Sequence, residues 1–175
     1  MTPADPEFHT FDDDGCIPNS PLPVLVLHDV AAARDAGGCE RLFAANGWRG
    51  AWRNGIYSFD HFHSTTHEVL GIVAGSASVM LGGPRGRRVE LRRGDVVVLP
   101  AGTGHCRLAS DGLLVVGAYP HGMRWDLRRG DPREHEEVLA NIKAVPVPET
   151  DPVHGANGPL CEQWRDPRSQ PFPSP

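Results

Sequence analysis

The middle of the chain, residues 50–120, is a succession of short apolar runs, each bounded by glycine or proline. The runs interpreted as strands cover residues 56–63, 68–73, 76–81, 88–91, 96–99, 104–108 and 113–119. Turn-forming residues recur at the intervals typical of a sandwich or barrel. The chain has 20 glycines and 17 prolines among 175 residues, which suits short strands joined by tight turns. The sequence therefore predicts an all-β fold of the jelly-roll class.

The two ends of the chain differ from this middle. Residues 1–22 contain four prolines and three consecutive aspartates, which predicts an extended N-terminal arm. A strand over 23–28, a weakly patterned helix within 31–46 and a clearer helix over 134–144 complete the predicted domain, residues 23–145. Residues 146–175 form a proline-rich tail that Trp164 could anchor, and we expect its last ten residues to be disordered.

Composition narrows the function. The net charge is −5 and no basic run is present, which disfavours binding to nucleic acid. No stretch approaches the roughly 18 apolar residues of a membrane span, so we expect no membrane partner. The N-terminus is acidic and lacks the apolar core of a signal peptide, which predicts a cytoplasmic protein.

Histidines cluster in the predicted barrel: four of the nine lie between residues 61 and 105. His61 and His63 alternate within the predicted strand over 56–63, so they should share a face with Tyr57 and Phe59. Two imidazoles at this spacing can converge on one ion. Two histidines at this spacing also occur by chance on protein surfaces. The residues around them therefore decide whether the pair indicates a metal site.

Those neighbours are Glu68, five residues after His63, and His105, after the loop 100–104. Neutral imidazoles with one carboxylate suit iron, zinc, manganese, nickel or copper. With open coordination positions, the set is similar to the two-histidine, one-carboxylate sites of non-haem iron oxygenases, with one histidine added.

The spacing of these residues resembles that of the cupin superfamily. Two runs carry the resemblance: Gly55, His61, His63, Glu68 and Gly75 in the first motif, and Gly94, Pro100, Gly102 and His105 in the second. The second motif normally closes with asparagine, where this sequence has Ala109. From about residue 15 to residue 164 the chain also looks like a small, largely uncharacterised family of bacterial single-domain cupins.

The resemblance implies a cupin-type double-stranded β-helix with a metal in its mouth. We expect one divalent transition metal, with iron favoured over zinc, manganese and nickel. The resemblance implies His61, His63, Glu68 and His105 as ligands. His67 adjoins Glu68, and neighbours in a strand point to opposite faces. The alternatives are therefore His67 in place of Glu68, or His67 in a supporting contact.

Other residues complete the predicted site. Tyr57 and Glu68 are the candidate catalytic groups, and Tyr57, Phe59 and Arg107 are the candidates for binding a small-molecule substrate. Arg107 shares a strand face with His105 and could hold a carboxylate or phosphate.

The favoured reading of function is an iron-dependent dioxygenase, an oxidoreductase acting on a small chelating substrate. The alternatives are a metal-dependent isomerase or lyase acting on a sugar or keto acid, and a non-catalytic binding protein. From the resemblance we also expect a homodimer.

Overall fold

The computed structural model describes residues 5–165 and confirms a mostly antiparallel β-fold with a few short helices. In that range, seven strands form one sheet in the order β1–β2–β6–β4–β7–β3, with β5 paired to β4. The strands are β1 Glu7–His9, β2 Val24–Leu27, β3 Trp48–Asn54, β4 Glu68–Leu81, β5 Arg87–Arg92, β6 Val96–Leu99 and β7 His105–Pro120. The helices are α1 Ala36–Ala45, α2 His135–Ala144 and α3 Pro159–Gln163, and short 3-10 turns precede α1 and α2.

Both faces of the central strands are buried, which is why β2 and β6 read as unbroken apolar runs. Alternate residues of β6 divide between two hydrophobic clusters. Val96 and Val98 pack with Phe43 of α1 and Trp48, while Val97 and Leu99 belong to a cluster on the opposite face. Residues on both faces of β6 are thus buried.

β4 and β7 are longer than the sequence suggests. Residues 68–73 and 76–81 were predicted as separate strands, but β4 runs through Ala74 and Gly75 with an irregular register against β7. Gly75 has a φ of +66°, and a Cβ at this position would collide with the backbone of Asp111. Glycine therefore allows a bulge that bends the strand without ending it. The predicted pieces 104–108 and 113–119 are likewise parts of one strand, β7.

The strand predicted over residues 56–63 is wrong. Only His61 and Phe62 make isolated bridges there, and the rest of the segment is loop. The strand that precedes it is β3, which pairs with β7 at the edge of the sheet. The prediction missed β3 because most of its residues are exposed, so its sequence lacks the apolar alternation of a half-buried strand.

The ends of the described chain pack on the domain. β1 pairs with β2, and the buried Trp164 donates its indole N–H to the carbonyl of Pro23 at 2.8 Å. The boundaries at residues 22/23 and 145/146 stay predictions, and the predicted disorder of the last ten residues lies outside the described part. Between residues 5 and 165, no helix combines the length and apolar character needed to cross a bilayer.

Candidate metal centre

Three buried histidines converge at one point and could bind a metal ion. A backbone bridge sets His61 opposite His105, with N···O distances of 3.2 and 2.9 Å, and brings their ring centroids to 4.0 Å. His63 joins them, with its ring centroid 5.9 Å from that of His61 and 5.8 Å from that of His105. One ligand atom from each ring lies within 4.8 Å of the other two. The loop between β3 and β4 therefore supplies His61 and His63, and the start of β7 supplies His105.

Backbone carbonyls fix the tautomer of these rings. Nδ1 of His61 lies 2.9 Å from the carbonyl oxygen of Phe59, and Nδ1 of His105 lies 3.0 Å from that of Thr103. Nδ1 of His63 lies against the carbonyl oxygen of Asp126. Since a carbonyl oxygen can only accept, each Nδ1 carries a proton, and in the neutral ring each Nε2 is left with the lone pair that a metal ligand needs.

Glu68 completes the cluster. It is buried at the start of β4, and its Oε2 lies 3.3 Å from Nε2 of His63 and 3.4 Å from Nε2 of His105. This oxygen has no hydrogen-bond partner in the described residues. A buried carboxylate oxygen facing imidazole lone pairs is costly unless a cation lies between them. The donor set therefore fits a divalent transition metal.

The electrostatics reflect this crowding. Burial lowers the pKa of His61 to about 3, and the neighbouring ring of His105 adds to that effect. Burial alone would lower the pKa of His63 and raise that of Glu68. The Glu68 carboxylate outweighs the effect of burial on His63, so the pKa of His63 is raised. The rings of His63 and His105 likewise outweigh the effect of burial on Glu68, so the pKa of Glu68 is lowered. A negative charge thus persists among the three rings.

Sequence reasoning missed the residues that hold Glu68. The hydroxyl of Tyr119, buried on β7, donates to Oε1 of Glu68 at 3.3 Å and accepts the indole N–H of Trp52 at 2.8 Å. Val69 pairs with Ala118, so the next position of the same register sets Tyr119 against Glu68. No local motif marks this contact, because it depends on pairing between strands about fifty positions apart.

Asp126 was missed as well. Besides its carbonyl contact to His63, its carboxylate accepts from the backbone N–H and the hydroxyl of Ser64, and it is paired with Arg128 at 2.8 Å. The backbone of Arg128 bridges that of Phe62. The segment after β7 therefore lies along the histidine-bearing loop and fixes its shape.

His67 lies apart from the cluster. Its Nδ1 accepts the backbone N–H of Ala101 at 2.9 Å, and its Nε2 donates to the carbonyl of Pro146 at 3.2 Å. Its ring packs on Trp164, with a centroid distance of 4.8 Å. Burial lowers the pKa of His67 to about 4. Both ring nitrogens are occupied by protein groups, so the geometry favours Glu68 over His67 as a ligand.

The cluster opens into a cavity of about 670 Å³. Tyr57 and Arg107 line it, as predicted candidates for substrate contacts, and Trp52, Tyr119 and Trp125 add aromatic walls. Phe59 is not among the residues of the described chain that line the cavity. Its ring stacks on Tyr57, and Cζ of Arg129 lies over it, 3.8 Å from the ring centroid. The prediction placed Phe59 in the cavity by strand alternation, which does not apply because the segment is a loop.

Comparisons with known proteins agree with the motifs. The family model described as Cupin matches residues 52–120. An uncharacterised protein of Bacillus subtilis strain 168, YjlB, is 40% identical over 156 residues, which cover 88% of this chain and 93% of YjlB.

Solved structures are more distant. An acireductone dioxygenase from Bacillus anthracis with cadmium in its active centre has 21% identity and a TM-score of 0.38; the match covers 51% of this chain and 60% of that one. A mutant of Bacillus subtilis oxalate decarboxylase OxdC has 17% identity and a TM-score of 0.33, over 58% of this chain and 22% of that one. Neither likeness bears on what this chain does. The family model and the long match to YjlB show that the chain belongs to the cupin superfamily.

Proposed function

We propose that this cupin is a metal-dependent enzyme acting on a small molecule, and that it is an iron-dependent oxygenase. The observation that carries the proposal is the convergence of three histidine nitrogens and one carboxylate oxygen that has no hydrogen-bond partner within residues 5–165, all on residues that line a cavity. His61, His63, His105 and Glu68 would hold the ion. As iron it would supply redox chemistry with dioxygen, and as zinc, manganese or nickel it would supply Lewis acidity.

The protein's own groups have separate roles in this proposal. Tyr119 holds Glu68 in place, and the carbonyls behind the histidines keep their rings aimed at one point. The aromatic walls limit the water that reaches the reacting atoms. Tyr57 and Glu68 are the groups proposed to hold or move a proton, and Arg107 is proposed to bind the substrate.

A second candidate is an isomerase or lyase that uses no oxygen. It is favoured by the hydrogen bond between Tyr119 and Glu68, which sets a proton donor against a buried carboxylate. Burial and the Glu68 charge raise the pKa of Tyr119, so its hydroxyl keeps its proton. A carboxylate that can exchange a proton with substrate suits proton transfer next to a polarised carbonyl.

The test is elemental analysis of protein purified without metal-affinity steps or chelators, in air and under anaerobic conditions, followed by oxygen-consumption screens with small chelating compounds. We expect near-stoichiometric iron and oxygen uptake that depends on added substrate. His105→Ala should lose both, whereas His154→Ala, which removes an exposed histidine outside the cluster, should keep both. Zinc, nickel or manganese with oxygen-independent turnover would favour the second candidate. Absence of metal from both preparations would favour a binding protein.

We further propose that the chain forms a homodimer. The three-residue strand β1 and the strand β3 end the path of paired strands in the described sheet, and a strand at the edge of a sheet can pair with another chain. Light scattering at micromolar concentration should give about twice the 19.0 kDa of one chain, and a mass of one chain would refute the proposal.

A further inference from the structure

An arginine on the cavity wall, Arg107, makes few hydrogen bonds to the described chain. Arg107 follows His105 by two positions on β7, so both side chains leave the same face of the strand. Its Nε donates to the carbonyl of Ile56 at 3.0 Å, and its Nη1 lies 3.3 Å from the hydroxyl of Ser110. It forms no salt bridge within residues 5–165, whereas the other arginine of the cavity wall, Arg53, is paired with Glu40. Arg107 is therefore an anchored guanidinium that still lacks an anion.

Two aromatic rings flank the histidine cluster and are open to the cavity. Tyr57 is 48% exposed and meets the ring of His61 edge to face, with a centroid distance of 5.1 Å. Trp125 is 47% exposed and meets His63 in the same way at 5.4 Å. Large aromatic surfaces left open beside a polar cluster are typical of ligand contacts, since their burial would stabilise a bound molecule.

We propose that the cavity takes a small planar carboxylic acid. Its carboxylate pairs with Arg107, its flat body lies against Tyr57 and Trp125, and its oxygen donors face the histidines. The part of the inference that concerns the oxygen donors rests on the proposed function, whereas the carboxylate contact does not.

Two other ligand classes fit less well. A phosphate ester carries about two charges at neutral pH, and the cavity wall offers one unpaired guanidinium, no lysine and no helix N-terminus. A neutral sugar needs many directed hydrogen bonds. This wall instead includes the aromatic or apolar side chains of Trp52, Ile56, Leu70 and Leu113.

The experiment measures binding by quenching of tryptophan fluorescence, with 3,4-dihydroxybenzoate compared against catechol and benzoate compared against benzyl alcohol. Each pair differs by the carboxylate group. We expect the acid of each pair to bind at least about tenfold more tightly, since a charge-assisted, two-point contact is among the stronger hydrogen-bonding interactions. Arg107→Gln should abolish this preference and leave catechol unchanged, while Arg85→Gln, at an exposed arginine away from the cavity, should preserve it.

Equal affinity for both members of each pair in the unmodified protein would overturn the inference. So would an Arg107→Gln variant that weakens catechol as much as 3,4-dihydroxybenzoate. Benzoate lacks the paired hydroxyls through which catechol would chelate a metal. If Arg107 holds its carboxylate, the preference for benzoate over benzyl alcohol should therefore persist in His105→Ala, where the metal site is disrupted. Failure of the inference is thereby distinguishable from failure of the proposed function, which metal analysis of the same variant reports.

Discussion

Replacement of Tyr119 by phenylalanine removes one oxygen from the buried contact that supports Glu68. Two groups lose their partner: Oε1 of Glu68, 3.3 Å from the hydroxyl, and the indole N–H of Trp52, 2.8 Å from it. A hydrogen bond to a charged group contributes about 1.5–3 kcal/mol and a neutral one about 1 kcal/mol. The Trp52 side chain is only partly buried and could regain a partner in water, so we expect a loss of about 2 kcal/mol in the free energy of unfolding.

For a chain of this length, 2 kcal/mol corresponds to a fall in Tm of about 4–8 °C. We expect metal affinity to fall as well, by about 10–100-fold, because a ligand that loses its supporting hydrogen bond is no longer held in one orientation. Thermal unfolding of chelator-treated protein measures the first effect, and competition with a metal-binding dye measures the second.

Tyr57→Phe is the matched control. The chemical change is identical, but Tyr57 is 48% exposed and its hydroxyl has no hydrogen-bond partner in the described chain. We expect it to change stability by less than about 0.5 kcal/mol and to leave metal affinity unchanged. Equal effects of the two substitutions on metal affinity would refute the assignment of Tyr119 as the support of Glu68.

Three further predictions test other parts of the structure. Asp126→Ala should weaken metal binding by about tenfold, since the loop that presents a carbonyl to His63 loses its anchor; unchanged affinity by dye competition would contradict this. Burial alone would lower the pKa of His28, but two neighbouring carboxylates leave it raised. Its stabilising effect should thus be present below pH 6.5 and fade at higher pH. The Tm difference between the unmodified protein and His28→Gln should shrink as pH rises, and a constant difference would count against this. Gly71→Ala should destabilise by about 1–3 kcal/mol in denaturant unfolding, because the added methyl would overlap the sulfur of Cys39; unaltered stability would show that the core can yield there.

Much of the fold could be read from the sequence because both faces of the central strands are buried. An unbroken apolar run such as β6, Val96–Leu99, has few other interpretations when glycine and proline bound it. A strand at the edge of the sheet was harder to predict. β3 pairs along one side and exposes most of its residues, so its pattern resembles that of a loop. The loop over 56–63, by contrast, was mistaken for a strand because it carries aromatic residues, of which Tyr57 lines the cavity and Phe62 is buried.

The histidine cluster could be predicted because two motifs that resemble those of the cupins contain its residues, whereas no motif contains the residues that support it. The resemblance to the cupin motifs implies His61, His63, Glu68 and His105 as ligands. The contacts of Tyr119 and Asp126 depend on strand register and on a loop that returns after β7. The rule that neighbouring strand residues point to opposite faces holds for His67: although it is adjacent to Glu68, its ring faces Trp164 and the chain near Pro146.

The central claim is that three histidines and one carboxylate hold a single metal ion. Metal stoichiometry, measured by elemental analysis on the unmodified protein, His63→Ala, Glu68→Ala and His67→Ala, tests it most directly. We expect about one ion per chain in the unmodified protein, a severe loss of metal in His63→Ala and Glu68→Ala, and metal retained in folded His67→Ala. An ion that persists in His63→Ala and Glu68→Ala but is lost from folded His67→Ala would contradict it.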